Sequence, residues 1–163
     1  PELNSYYNFS ENLGVYGNFF YLSNPREQNG VRTYREMVSA TLANEAIMSV
    51  PDQYMARAGV NYAPRFAKSL SATAGVRLEG IPVNDLIGGS GDFRRPGYIW
   101  SVEPGLSYRT KTITFFTSVP VAVVRNRTQS VTDKDYSSKT GTFKQGDAAF
   151  SDYTINVGAA FRF

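Results

Sequence analysis

Hydrophobic and polar residues alternate at period two along much of the chain, most cleanly over its last twelve positions. From Asp152 to Phe163, the residues Tyr153, Ile155, Val157, Ala159, Phe161 and Phe163 fall on one side, and Asp152, Thr154, Asn156, Gly158, Ala160 and Arg162 on the other. Successive side chains of a strand point to opposite faces, so the pattern predicts a strand with one apolar wall and one polar or small-residue wall. Six further strands follow from the same criterion. Leu3 to Ser10 is the weakest, with Tyr7 and Phe9 sharing a face. Leu13 to Asn24 is apolar on both faces, which leaves its orientation open. In Gln53 to Ala63, Tyr54, Ala56, Ala58, Val60 and Tyr62 oppose Gln53, Arg57, Gly59 and Asn61. Leu70 to Gly80 sets Leu70, Ala72, Ala74, Val76 and Leu78 against Ser71, Thr73, Gly75, Arg77 and Glu79. Tyr98 to Arg109 sets Trp100, Val102, Pro104 and Leu106 against Ser101, Glu103, Gly105 and Ser107. Thr112 to Val124 sets Ile113, Phe115, Val119, Val121 and Val123 against Thr114, Phe116, Ser118, Pro120 and Ala122.

These runs of about 10 to 13 residues match what a tilted strand needs to cross a bilayer and exceed the ~5 to 6 usual in soluble sheets. The connections alternate short (around Ser10 to Asn12, Pro64 to Ser69 and Arg109 to Lys111) and long (25–52, 81–97 and 125–151). Short periplasmic turns and long external loops alternate in this way. The expected fold is therefore all-β: residues 1–163 form one portion of an antiparallel transmembrane β-barrel carrying three long external loops. Single-chain bacterial barrels have even strand numbers, so seven strands imply either the C-terminal part of a larger barrel or one further strand that the alternation does not reveal. No basic and apolar leader opens the chain at Pro1, as expected of a mature protein or a fragment. Within the first long loop, Arg35 to Met48 is expected to form a short surface helix.

Composition changes this picture little. A hydrophobic content of 42% and a charged content of 19% are those of a soluble domain, but also of a membrane barrel, because only half of each strand faces lipid. No stretch approaches the ~18 apolar residues of a transmembrane helix, so any crossing is made by strands. Eleven Tyr and eleven Phe are present, many of them near the ends of the alternating runs, as in interfacial girdles. A net charge of +3 without a Lys/Arg cluster argues against nucleic acid as a partner. Zero Cys removes disulfides and thiolate metal sites and is compatible with a periplasmic route.

The closing strand, Tyr153 to Phe163, resembles the C-terminal assembly signal of Gram-negative outer-membrane β-barrels, with Tyr153, Phe161 and Phe163 as its aromatic positions. The stretches Asn24-Pro25-Arg26-Glu27-Gln28-Asn29-Gly30 and Ser118-Val119-Pro120-Val121-Ala122-Val123 are similar to outer-membrane proteins grouped loosely with aromatic-compound and fatty-acid uptake channels. The resemblance implies an outer-membrane location, the lipid bilayer and the barrel assembly machinery as partners, and small-molecule transport with no catalytic residues to carry over.

The absence of His removes the usual general base, and no enzyme activity or cofactor is expected. Gly88-Gly89-Ser90-Gly91 lacks the Lys-Ser/Thr of a phosphate-binding loop and is expected to be a flexible loop. Asp133, Asp135, Asp147 and Asp152 lack the spacing of a calcium loop and are expected to be solvated. Inward charges are more informative, since a charge on the lipid face would cost ~2–4 kcal/mol at mid-membrane. Arg57, Arg77 and Glu103 lie at similar heights on consecutive strands, with Glu79 a little higher, and Arg109 shares the inward face. They are expected to line the lumen, either as a bracing ion-pair network or as a selective path. Tyr16, Phe20 and Phe116, with Leu22, would supply an apolar lumen surface. Pro104 and Pro120 interrupt what are expected to be neighbouring strands, as local bulges or as a seam like the lateral openings of fatty-acid-transport channels. Passage of a small apolar or aromatic solute is the leading expectation; a closed barrel scaffolding a surface complex is the alternative.

Overall fold

The computed structural model describes residues 1–34, 37–146 and 150–163. Its strands are β1 (Glu2–Asn8), β2 (Leu13–Leu22), β3 (Gln28–Arg32), β4 (Ile47–Ser49), β5 (Gln53–Tyr62), β6 (Leu70–Ile81), β7 (Gly97–Arg109), β8 (Ile113–Ser118), β9 (Val121–Arg127) and β10 (Asn156–Phe161), with a 3-10 helix at Ala40–Glu45 and α1 at Val131–Thr140. The main antiparallel sheet runs β1-β2-β5-β6-β7-β8-β10, with β9 also paired to β7, and it curls into a half-barrel. β3 and β4 form a separate ribbon.

β8 and β9 behave as one interrupted strand beside β7. Gly105 pairs Ser118 and Val102 pairs Val121 in continuous register. Pro120 cannot donate a ladder hydrogen bond, yet Val119 N–H reaches the Pro104 carbonyl at 2.9 Å and the Pro120 carbonyl accepts from Thr154 at 3.2 Å. The seam is stitched here. The irregularity instead falls beyond the prolines, where Trp100 pairs Val124 but Ser101 pairs Ala122. Val123 is the extra residue of a β-bulge, so the strict alternation expected through Val124 slips by one. With β8 and β9 joined, the seven expected strands all stand, and β10 lies along this composite strand from the Val121–Tyr153 bridge to Phe161.

Register separates two faces of opposite character. Along β7, Ile99, Ser101 and Glu103 are buried while Trp100, Val102, Pro104 and Leu106 are exposed. Val60, Val76, Phe115, Val157 and Phe161 are exposed on the same convex side. Among the described residues, Ile99 is the one apolar side chain other than proline that is buried, against ten buried polar or charged ones. A water-soluble domain puts its large aliphatic side chains inside; this sheet puts them outside. The glycines of the concave face make room rather than turns. Gly59 and Gly75 are directly paired, and a Cβ on Gly59 would sit 2.7 Å from the Tyr16 hydroxyl oxygen, which crosses over both.

The three long connections pack on one another as a cap. Ser49 N–H donates to the Phe93 carbonyl at 2.9 Å, Val50 N–H to Glu27 at 3.0 Å, and Thr128 N–H to Pro96 at 3.2 Å. Three expectations are corrected here. Arg35 and Glu36 lie outside the described residues, and the rest of the expected helix to Met48 is a 3-10 turn followed by β4. Gly88-Gly89-Ser90-Gly91 is tied down: Ser90 Oγ accepts from Asp85 N–H at 2.9 Å, and the Gly89 carbonyl from Arg94 at 3.2 Å. Asp133 is buried rather than solvated, because it closes a capping box with Ser130 at the start of α1 and also accepts from Gly146 N–H at 3.2 Å. Asp135 pairs with Lys139 at 2.7 Å and Asp152 with Arg125. Asp147 lies outside the described residues.

Candidate functional site

The concave face is a trough with three hollows in series. The hollow under the cap is about 570 Å³ and is lined by Phe20, Met55, Arg77, Glu79 and Ile99, among others. The middle one, about 670 Å³, includes Asn4, Tyr16, Asn18, Arg57, Glu103, Phe116, Ser118 and Asn156. Met55 and Arg77 belong to both. The third, about 480 Å³ at the short-turn end, holds Arg109 and Arg162 and shares Tyr6, Tyr16, Thr73 and Ser107 with the middle one.

Strand register creates the middle hollow. Asn4 pairs Asn18, Asn18 pairs Arg57, Arg57 pairs Arg77 and Arg77 pairs Ser101, so five polar side chains cross five strands at one height. Glu103 lies one step nearer the short turns, opposite Gly75. The missing side chain of Gly75 lets Arg57 Nη1 reach Glu103 Oε1, at 3.5 Å. That oxygen also accepts from Ser118 Oγ at 2.8 Å, and Ser118 Oγ accepts from Asn156 Nδ2 at 3.2 Å. Arg77 turns instead to Glu79, two residues along its own face, at 2.5 Å. On the other flank Asn18 Nδ2 donates to Asn4 Oδ1 at 2.5 Å and to Glu2 Oε1 at 3.1 Å. Three acceptors thereby fix its amide orientation, since the Leu3 carbonyl lies 3.5 Å away.

Three buried polar atoms in this cluster have no hydrogen-bond partner among the described residues: Asn18 Oδ1, Arg57 Nε and Glu103 Oε2. Buried polar groups are rarely left so, because each forfeits a hydrogen bond it had in water.

Of the residues singled out from sequence, Arg57, Arg77, Glu79, Glu103, Tyr16, Phe20 and Phe116 all line the upper or middle hollow. Arg109 does not join them; it sits at the far end of the trough. Leu22 is exposed at the end of β2 and lines none of the three hollows. Tyr153 borders the cap-side hollow, Phe161 is exposed on the convex side, and Phe163 is exposed beyond the end of β10. Asn18, Ser118 and Asn156 were missed as site residues, although each falls on the inward parity of its strand.

The cap has its own polar centre. Arg94 pairs with Asp85 at 2.6 Å with both side chains inaccessible, and it also donates to Ser49 Oγ at 2.8 Å. Asp85 Oδ1 accepts from Asp52 N–H at 2.9 Å. Asp52 in turn accepts from Asn24 N–H, Leu86 N–H and the Tyr21 hydroxyl at 2.7 to 2.8 Å. Burial pushes the Asp52 carboxyl upward, but these donors and the nearby Arg94 guanidinium outweigh it and hold it below the usual carboxylate range. Burial, then its hydrogen bond to Glu45, pushes the Tyr34 hydroxyl up. Glu45 is also ion-paired with Lys144, which ties the first long connection to the third.

No protein-family model, curated protein or solved structure matches this chain.

Proposed function

We propose that this protein is a membrane-embedded β-barrel of a bacterial outer membrane, and that its trough passes a small solute of the apolar or aromatic kind. One observation carries the reading: the sheet is inside-out, with aliphatic and aromatic side chains exposed on the convex face, and with Asn18, Ser101 and Glu103 buried and Arg57, Arg77 and Glu79 half-buried on the concave one. An exposed apolar surface of this extent marks contact with a membrane or a partner. From Tyr54 to Tyr62 the convex face of β5 spans about 26 Å along the strand at ~3.3 Å per residue, which at a tilt of ~40° covers about 20 Å of the ~25 Å apolar band of outer-membrane barrels. Tyr62 and Tyr108 mark one end of that band, Tyr54 and Trp100 the other, where interfacial aromatics belong. Tyr153, Phe161 and Phe163 serve as the assembly signal. The serial hollows supply a path, and Phe20, Tyr16 and Phe116 supply ring surfaces along it.

The ordered cap favours a second reading, a closed barrel that scaffolds a cell-surface complex through its loops. Reconstitution of the full-length protein separates the two. Liposome swelling or single-channel conductance is expected for the channel, with a heat-modifiable band confirming the folded barrel. Lipid-accessible Cys probes at Ala58, Val76, Val102 and Val157 should report hydrocarbon, while Gly59, Gly75, Gly105 and Asn156 should report the interior. Reversed or uniformly wet probes would sink the membrane register; a folded barrel without flux would leave the scaffold.

A further inference from the structure

The middle hollow contains a mixed set of unpartnered groups. Glu103 is 3% exposed and Asn18 7% exposed, and each leaves one buried acceptor, Oε2 and Oδ1, without a donor among the described residues. Arg57 leaves one buried donor, Nε, beside them. Two acceptors and one donor do not suit an ion of either sign. An ammonium would meet Glu103 but also the Arg57 and Arg77 guanidiniums; a carboxylate would meet those but also Glu103 and Glu2. The charged side chains that line the hollow, Arg57 and Arg77 against Glu2 and Glu103, cancel two against two. A hydroxyl, by contrast, donates once and accepts twice, and so can answer both kinds of group.

The surrounding wall agrees. Ser118 and Asn156 extend the polar row on one side and Asn4 on the other, while the rings of Tyr16 and Phe116 stand among them. A volume of about 670 Å³ falls within the ~300–1,000 Å³ of small-molecule sites. We infer that the middle hollow is a binding site for a neutral polyhydroxylated small molecule of monosaccharide size, held by Glu103, Asn18 and Arg57. The inference rests on the channel reading for its access route alone, and it replaces the apolar or aromatic solute of that reading with a polar, uncharged one.

The test uses the full-length protein in liposomes with three probes of one size: glucose, gluconate, and glucosamine in mildly acidic buffer, where its amine is protonated. Wild type should take up glucose saturably and faster than either ion. Glu103→Gln, confirmed as folded by heat-modifiability, keeps the shape of the side chain but replaces Oε2 by a donor or a weaker acceptor. It should raise the half-saturating glucose concentration about tenfold, as expected for losing one hydrogen bond to a charged group. Equal, unsaturable passage of all three probes would overturn the site while leaving the channel standing. Calorimetric binding of glucose without flux would support the site and remove the channel. Unchanged half-saturation in Glu103→Gln would also overturn the site. The wild-type comparison needs no variant, so a misassembled Glu103→Gln leaves the inference falsifiable.

Discussion

Arg94 with Asp85 in the cap and Arg57 with Glu103 in the trough are the same chemical pair at two stages of completion. In the cap the ions meet at 2.6 Å, and Arg94 adds Ser49 Oγ and the carbonyls of Gly89 and Val83 at 2.8 to 3.4 Å. In the trough the ions meet at 3.5 Å, Arg57 is 38% exposed, and among the described residues each partner keeps a buried atom unpaired, whereas in the cap Arg94 Nε is unpaired but both Asp85 oxygens are engaged. A buried ion pair is stabilising only when its remaining donors and acceptors are satisfied. The cap pair approaches that state and serves as a structural pin between loops. The trough pair does not, and both of its residues line a hollow.

The largest difference should follow from removing each arginine. Arg94→Met strands Asp85, which has 1% of its side chain exposed, and should cost ~3–5 kcal/mol of cap stability. Its readout is a lower unfolding temperature with new protease nicking in the 25–52 connection. Arg57→Met should cost less, because its carboxylate contact is long and its own head is 38% exposed, although it too leaves a buried carboxylate, Glu103 at 3% exposed, short of a partner. Equal losses in the two variants would erase the distinction between pin and site.

The two regions also differ in how far the sequence discloses them. The trough was largely visible, because strand parity alone puts Arg57, Arg77, Glu79 and Glu103 on the concave side, and their heights follow from counting along each strand. Counting did not show who pairs with whom: Arg77 turns to Glu79 on its own strand, leaving Arg57 to reach across Gly75. The cap was not visible. Asp52, Asp85, Arg94 and Ser49 carry no periodicity, and their convergence depends on three loops meeting in space. α1 has polar residues on every side, so no apolar stripe marks it. Its ends were nevertheless written in Ser130 and Asp133, the capping box, and in Gly141 with φ 70°.

A smaller effect should appear on acidification. Asp52 is held below its usual range, so its folded form binds a proton less readily than its unfolded form. Its contribution is fully present at neutral pH, starts to fall as pH drops through the ordinary carboxylate value of 3.8, and is gone once pH passes below the depressed folded value. Wild-type cap stability, followed by protease resistance, should decline across that window. Asp52→Asn should start lower and lose less of its stability there. An equal acid loss in Asp52→Asn would move the effect to another carboxylate.

The smallest effect compares one atom in each region. Ser49 Oγ accepts from Arg94 in the cap, and Ser118 Oγ donates to Glu103 in the trough, both at 2.8 Å. Alanine at either position removes a hydroxyl and one charge-assisted hydrogen bond, a class worth ~1.5–3 kcal/mol. The consequences should diverge because the surroundings do. Behind Ser49 the guanidinium is enclosed, so Ser49→Ala should show most of that loss as stability, with solute passage unchanged. Beside Ser118 the carboxylate borders a hollow that water can enter, so Ser118→Ala should leave the unfolding temperature nearly as it was. Its effect should appear in transport, since Glu103 loses the contact that orients it and Asn156 loses its acceptor. A Ser118→Ala variant that melts like Ser49→Ala and keeps wild-type solute selectivity would make the trough pair a second pin.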